Sequence, residues 1–123
     1  MKNPKSEPGP NFDFERLIVF QKALRLLETL ARFLGNPPRK AASVSDHLDR
    51  ALSSILLNIA EGSGREPGSR DRKRFYRTAL GSAKESGACL IVLAARGFLS
   101  GPALRKGRTL CLEVVAMLRG MSR

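Results

Sequence analysis

Residues 17–38 read LIVFQKALRLLETLARFLGNPP. Apolar side chains recur there at Leu17, Phe20, Leu24, Leu27, Ala31 and Leu34, in alternating steps of three and four. That spacing stacks side chains on one face of an α-helix, and it does not suit a strand, whose faces alternate every two residues. Gly35-Asn36-Pro37-Pro38 then stops the run, because glycine supplies a left-handed cap and proline cannot continue a helix. A first helix is therefore expected from Asn11 or Asp13 to Gly35.

The same period recurs three more times. A linker rich in Pro, Ala and Ser leads to Ser45 or Asp46, either of which can cap a second helix carrying Leu48, Leu52, Ile55 and Ile59 and ending at Gly62. Ser63 to Ser69 has the composition of a loop. Ser69 or Asp71 can cap a long third helix with Tyr76, Leu80, Ala83, Gly87, Leu90 and Ala94 inward and Gly97 at its end. Ser100-Gly101-Pro102 opens a fourth, with proline in the first turn and Leu104, Cys111, Val114, Val115 and Leu118 on one face. No alternating strand pattern competes. The expected fold is all-α, an antiparallel up-and-down four-helix bundle.

A chain of 123 residues has room for one domain. It is placed at residues 12–119, between a disordered N-terminal tail (1–11) rich in Pro, Gly, Lys and Ser and a short C-terminal tail (120–123). The N-terminus has no apolar core of a signal peptide and no run is long enough to span a membrane, so a cytoplasmic location is expected. Cys89 and Cys111 lie in apolar helical stretches without metal-ligand spacing, and they read as reduced core residues.

Charge is the strongest functional cue. Lys and Arg number 22 against 11 acids, a net charge of +11, while 42% of residues are hydrophobic. A chain that apolar can fold, so the excess charge sits on a folded surface and attracts polyanions. The densest segment holds Arg65, Arg70, Arg72, Lys73, Arg74 and Arg77 against only Glu66 and Asp71. On a helical wheel Arg70, Lys73, Arg74, Arg77 and Lys84 fall within an arc of about 100°, and mutual repulsion there would be relieved by a phosphate backbone. Arg105, Lys106 and Arg108 form a second group at the start of the fourth helix, where positive charge opposes the helix dipole. With no Trp and few aromatics, phosphate contacts rather than base stacking are expected.

Val19, Leu26, Leu30 and Phe33 lie off the Leu17–Leu34 stripe, and as surplus apolar surface they are expected to form a subunit interface. Nothing points to catalysis. His47 is the single histidine, at a helix start, and Glu61 and Glu85, the acids nearest to burial, have no converging partner. Gly62-Ser63-Gly64 lacks a phosphate-loop pattern and reads as a turn. No catalytic residue, metal or cofactor is expected.

The string Ser54-Ile55-Leu56-Leu57-Asn58-Ile59-Ala60-Glu61-Gly62, with Phe75 and then Ala79-Leu80-Gly81-Ser82-Ala83-Lys84-Glu85, resembles the bacterial four-helix-bundle family. That family includes proteins encoded in intervening sequences of 23S ribosomal RNA genes and accessory variability proteins of diversity-generating retroelements. Phe20-Gln21-Lys22-Ala23 and Arg50-Ala51 resemble its other recurring segments, so the similarity covers about residues 12–118. The chain departs from the pattern at His47, where members often carry Gln, in the linker, and at Ser86-Gly87. The resemblance implies a homopentameric barrel, a basic surface for RNA or DNA and, in the retroelement branch, a reverse transcriptase partner, with no enzymatic activity. Asn58, Glu61, Gly62, Gly81, Ser82 and Glu85 match its signature positions. They are expected to knit helix two to helix three, with Glu61 buried against a donor such as Asn58. The competing reading is a scaffold whose basic surface docks an acidic protein without touching nucleic acid.

Overall fold

The computed structural model describes residues 11–123. Four α-helices run in order: α1 (Ile18–Gly35), α2 (Ala42–Ser63), α3 (Arg70–Ala95) and α4 (Gly101–Met121), with 3-10 turns at Asp13–Arg16 and Arg39–Ala41. Among the described residues there is no strand. The helices pack in a ring, α1 on α2, α2 on α3, α3 on α4 and α4 back on α1. Neighbours are antiparallel: Lys22 near the start of α1 meets Glu113 in the second half of α4 at 3.1 Å, and Gly62 at the end of α2 lies against Tyr76 near the start of α3. Most of residues 1–11, expected as a tail, lie outside the described residues. At the other end α4 runs on to Met121 and Ser122 is buried, past residue 119 where the sequence pattern closes the domain.

The core lies where the four apolar faces meet. Leu48, Leu52, Ile55 and Ile59 of α2, Tyr76, Ala83 and Leu90 of α3, and Cys111, Val114 and Leu118 of α4 are all buried, as the helical spacing predicts. Each large aliphatic removed from water contributes about 1.5–3 kcal/mol before ordering costs. Cys89 and Cys111 are free and buried. Burial pushes the Cys111 thiol up to about 11, and burial, then the Glu85 carboxylate, raises the Cys89 thiol.

Helix α1 corrects the sequence reading. Val19, Leu26 and Leu30 are fully buried within the protomer, so these three belong to the core and not to a subunit interface, while Phe33 packs part-buried against the core. The stripe through Leu17, Phe20, Leu24, Leu27 and Leu34 is the one left part-covered. Both stripes have helical period and lie about 110° apart, so the pattern alone does not decide which points inward. Ala23 is buried between Val19 and Leu26, and its small side chain lets the inner face sit close to its neighbours. Part of the outer stripe is covered locally, since the Phe14 ring lies 4.9 Å from that of Phe20.

Helix ends show where local chemistry governs. α3 starts as expected: the Ser69 hydroxyl accepts from the Arg72 backbone N–H at 3.0 Å. It stops in a Schellman motif, in which Gly97 has φ +78°, its N–H donates to Ala94 O at 3.0 Å and the Phe98 N–H to Leu93 O at 2.8 Å. α4 likewise opens after Ser100 with Pro102 in its first turn, whereas α1 and α2 differ. The chain is extended at Leu17 (ψ 127°), so α1 opens at Ile18 and not at Asn11 or Asp13. α2 opens at Ala42, ahead of the expected caps, because the Arg39–Ala41 turn already winds the chain into it; Ser45 is then buried inside the helix with a hydroxyl that has no partner among the described residues. No described helix is long and apolar enough to cross a membrane.

Candidate nucleic-acid interface

The charge of the bundle is divided unevenly. Helices α3 and α4 carry ten cationic side chains, Arg70, Arg72, Lys73, Arg74, Arg77, Lys84, Arg105, Lys106, Arg108 and Arg119, against three acids, Asp71, Glu85 and Glu113. Helices α1 and α2 carry four, Lys22, Arg25, Arg32 and Arg50, against four acids, Glu28, Asp46, Asp49 and Glu61. The three acids of α3 and α4 also turn away from the outer face. Glu113 bonds Lys22 of α1, Glu85 lies 3.6 Å from His47 Nδ1 of α2, and Asp71 pairs with Arg65 and Arg74. The excess therefore emerges on one side of the molecule.

That side is the outer face shared by α3 and α4. Cys111 Sγ donates to the Ala83 carbonyl at 3.3 Å, which sets the two antiparallel helices in register. Lys84 of α3 and Arg108 and Arg119 of α4 then line one groove. Helical rotation adds Arg77 within about 20° of Lys84 on α3 and Arg105 within about 60° of Arg108 on α4. None of these five side chains pairs with a described acid, and all are exposed. The two basic groups read separately along the sequence thus join into one cationic face. Arg119 escapes a search for local charge clusters, since it stands alone in sequence, yet eleven residues of helix bring it within about 20° of Arg108.

Other members of the expected set do different work. Arg72 closes the α2–α3 loop, its Nη2 donating to Ser63 O at 2.7 Å and its Nε to Arg65 O at 3.0 Å. Arg65 pairs with Glu61 at 3.1 Å and Asp71 at 3.5 Å; Arg74 pairs with Asp71 at 2.7 Å. Both guanidiniums lie over the Phe75 ring, at 4.9 and 4.5 Å from its centroid. These three arginines are thus already paired or hydrogen-bonded where α2 meets α3, unlike the five cations of the shared face. Lys106 diverges from the shared face, lying about 160° around α4 from Arg108. Arg70 and Lys73, at the start of α3, remain on the edge of the cationic face, Arg70 exposed and Lys73 half-buried.

The signature positions divide likewise. The Ser54 and Ser82 hydroxyls meet at 2.7 Å across α2 and α3, and Asn58 Nδ2 braces Ser54 through its carbonyl at 2.9 Å and its hydroxyl at 3.1 Å. Gly62 is there for close approach: a Cβ would stand 2.8 Å from Tyr76 Cε1. Glu85 joins α3 to α2 through His47. Glu61, expected to be buried against Asn58, is exposed and pairs with Arg65 one turn on, because its Cα lies on the solvent side of α2. Gly81 has nothing within 4 Å of its would-be Cβ and knits nothing. Among the described residues no group of His, Cys, Asp and Glu could hold a metal ion.

Fold and charge together define a basic all-α four-helix bundle protein. The model of the 23S rRNA-intervening sequence protein family matches residues 15–120, and the chain belongs to that family. A solved structure similar to it is a protein of unknown function from the S23 ribosomal protein family of Bacteroides thetaiotaomicron, with a TM-score of 0.72, 19% identity and coverage of 86% of this chain and 99% of that one. That likeness bears on the fold alone. No curated protein matches.

Proposed function

We propose that the protein is a non-enzymatic nucleic-acid-binding bundle that engages the phosphates of RNA or DNA through the outer face of α3 and α4. The observation that carries this reading is the charge division: α3 and α4 carry ten cations against three acids, each of them paired, and seven of the ten (Arg70, Lys73, Arg77, Lys84, Arg105, Arg108 and Arg119) remain on or at the edge of one face, whereas α1 and α2 carry four cations against four acids. Unpaired cations on a folded face release counterions when they meet phosphate, a gain that paired surface charges do not offer. α4 carries no aromatic, and on α3 Tyr76 is buried and Phe75 lies half-buried beneath Arg65 and Arg74, which favours phosphate contact over base stacking on this face. Assembly into a homopentamer, implied by the family resemblance, forms part of this proposal, with the part-covered α1 stripe of Phe20 and Leu24 as the apolar surface it would use.

Anisotropy titration of structured RNA and duplex DNA across a salt series tests it. Replacing Arg77, Lys84, Arg108 and Arg119 by Gln should reduce the slope of log affinity against log salt by about 3 to 4, close to 0.9 for each phosphate no longer neutralised. Replacing Arg25, Arg32 and Arg50 by Gln should change it by less than about 1. Equal effects of the two sets, or no binding at low salt, would overturn the assignment.

A further inference from the structure

We propose that the groove between α3 and α4 docks an acidic amphipathic helix from a partner protein. The groove holds about 340 Å³. Its floor includes Ala83 and Gly87, small side chains that let another helix backbone approach closely. Its lips are Ile91 and Leu112, 55% and 65% exposed, two of the few large apolar side chains that the bundle leaves in water. Its rim carries Lys84, Arg108 and Arg119, and no acid among the described residues lines it.

Phosphate binding uses the rim but not the lips. A sugar–phosphate backbone gains nothing from Ile91 or Leu112, and an apolar patch at the centre of a cationic face is a cost unless an apolar surface covers it. A helix with an aliphatic ridge flanked by Asp or Glu satisfies both parts, burying its ridge between the lips and setting its acids against the rim. The proposed assembly is placed on the α1 stripe, and a like-on-like pairing of copies at this groove would set Lys84, Arg108 and Arg119 of one against the same cations of the other, which disfavours a second copy as the occupant. The dimensions also fit. Arg108 and Arg119 are eleven residues apart on α4, about 16 Å, the length of three helical turns. The groove shares Lys84, Arg108 and Arg119 with the nucleic-acid face, but its apolar lips take no part in phosphate contact, so variants of the lips separate the two activities.

The test uses the full chain and a fluorescein-labelled peptide of about 14 residues with Leu at i, i+4, i+7 and i+11 and Glu on both flanks. A scrambled peptide of the same composition serves as control, and Ile91→Ser, Leu112→Ser and the double variant are measured beside the wild type. Both lips are exposed, so the variants should melt with the wild type. The ordered peptide should bind at least about tenfold more tightly than the scrambled one. The double variant should lose about tenfold or more in peptide affinity while its affinity for RNA stays within about twofold. Equal binding of the scrambled peptide, peptide affinity insensitive to both lips, or no binding would overturn the proposal. So would wild-type oligomers that dissociate in the double variant, since a second copy would then be what covers the groove.

Discussion

Gly62 and Gly81 both stand at signature positions, and their surroundings assign them opposite effects on stability. A Cβ at Gly62 meets the Tyr76 ring at 2.8 and 3.0 Å and Phe75 Cβ at 3.1 Å, so Gly62→Ala forces α2 from α3 and should cost about 1–3 kcal/mol. Gly81 lies exposed in mid-helix with open space around it, and Gly81→Ala should stabilise by about 0.5–1 kcal/mol through helix propensity and a less disordered unfolded chain. Thermal melts of the two variants read both signs. Cys111 adds a pH dependence. Its thiol is raised from 9.0 to about 11 in the folded protein, so above 9 the unfolded chain loses its proton first and binds fewer protons than the folded one. Stability from this group is intact below 9 and falls as pH rises through about 11. Urea midpoints measured from pH 8 to 11 should decline, and Cys111→Ala should flatten that decline; an equally steep loss in the variant would remove Cys111 as its source.

At the scale of elements, Arg72 shows how a basic segment can be structural. Its two donor contacts to Ser63 O and Arg65 O hold the turn between α2 and α3. Arg72→Ala should destabilise by about 1–2 kcal/mol, within the range for hydrogen bonds from a charged donor, and leave the salt slope of RNA binding within about 0.5 of wild type. A fall of about 1 in that slope would return Arg72 to the binding face. The four helices themselves were legible because their apolar period is sustained and their ends are chemically marked, as at Ser69, which starts α3, and Gly97, which stops it. The facing of α1 was not, because Val19-Ala23-Leu26-Leu30 and Phe20-Leu24-Leu27-Ala31 are equally periodic, and only the other three helices decide which stripe they cover. The same limit applied to charge: the cations of residues 65–77 were visible, but their pairing with Glu61 and Asp71 depends on the path of the loop. Glu61 misled for a related reason, since a signature acid beside Asn58 looks buried until helix rotation turns it to solvent.

For the whole molecule, net charge sets binding and assembly in opposition. In the proposed pentamer five copies at +11 each would carry +55, and like charge on neighbouring protomers would repel. Added salt screens that repulsion over a Debye length near 10 Å at 0.1 M, so assembly through an apolar surface such as Phe20 and Leu24 should strengthen as salt rises. Nucleic-acid binding should weaken over the same range, by about 10³–10⁵ between 50 and 200 mM for 6–10 phosphate contacts. A polyanion supplies at low salt what screening supplies at high salt, and it couples the two equilibria: RNA that bridges cationic faces should promote assembly, and assembly should raise affinity for RNA by the same factor. Sedimentation velocity at low protein concentration reads this directly. In about 20 mM salt the free protein should shift toward smaller species, and it should return to the large species in about 500 mM salt or on adding a short duplex at low salt. A mass that falls as salt rises would mean that ion pairs between protomers, and not apolar contact, hold the assembly, and would move the interface from the α1 stripe to the acids of α2, Asp46 and Asp49, set against the cations of a neighbouring α3 or α4.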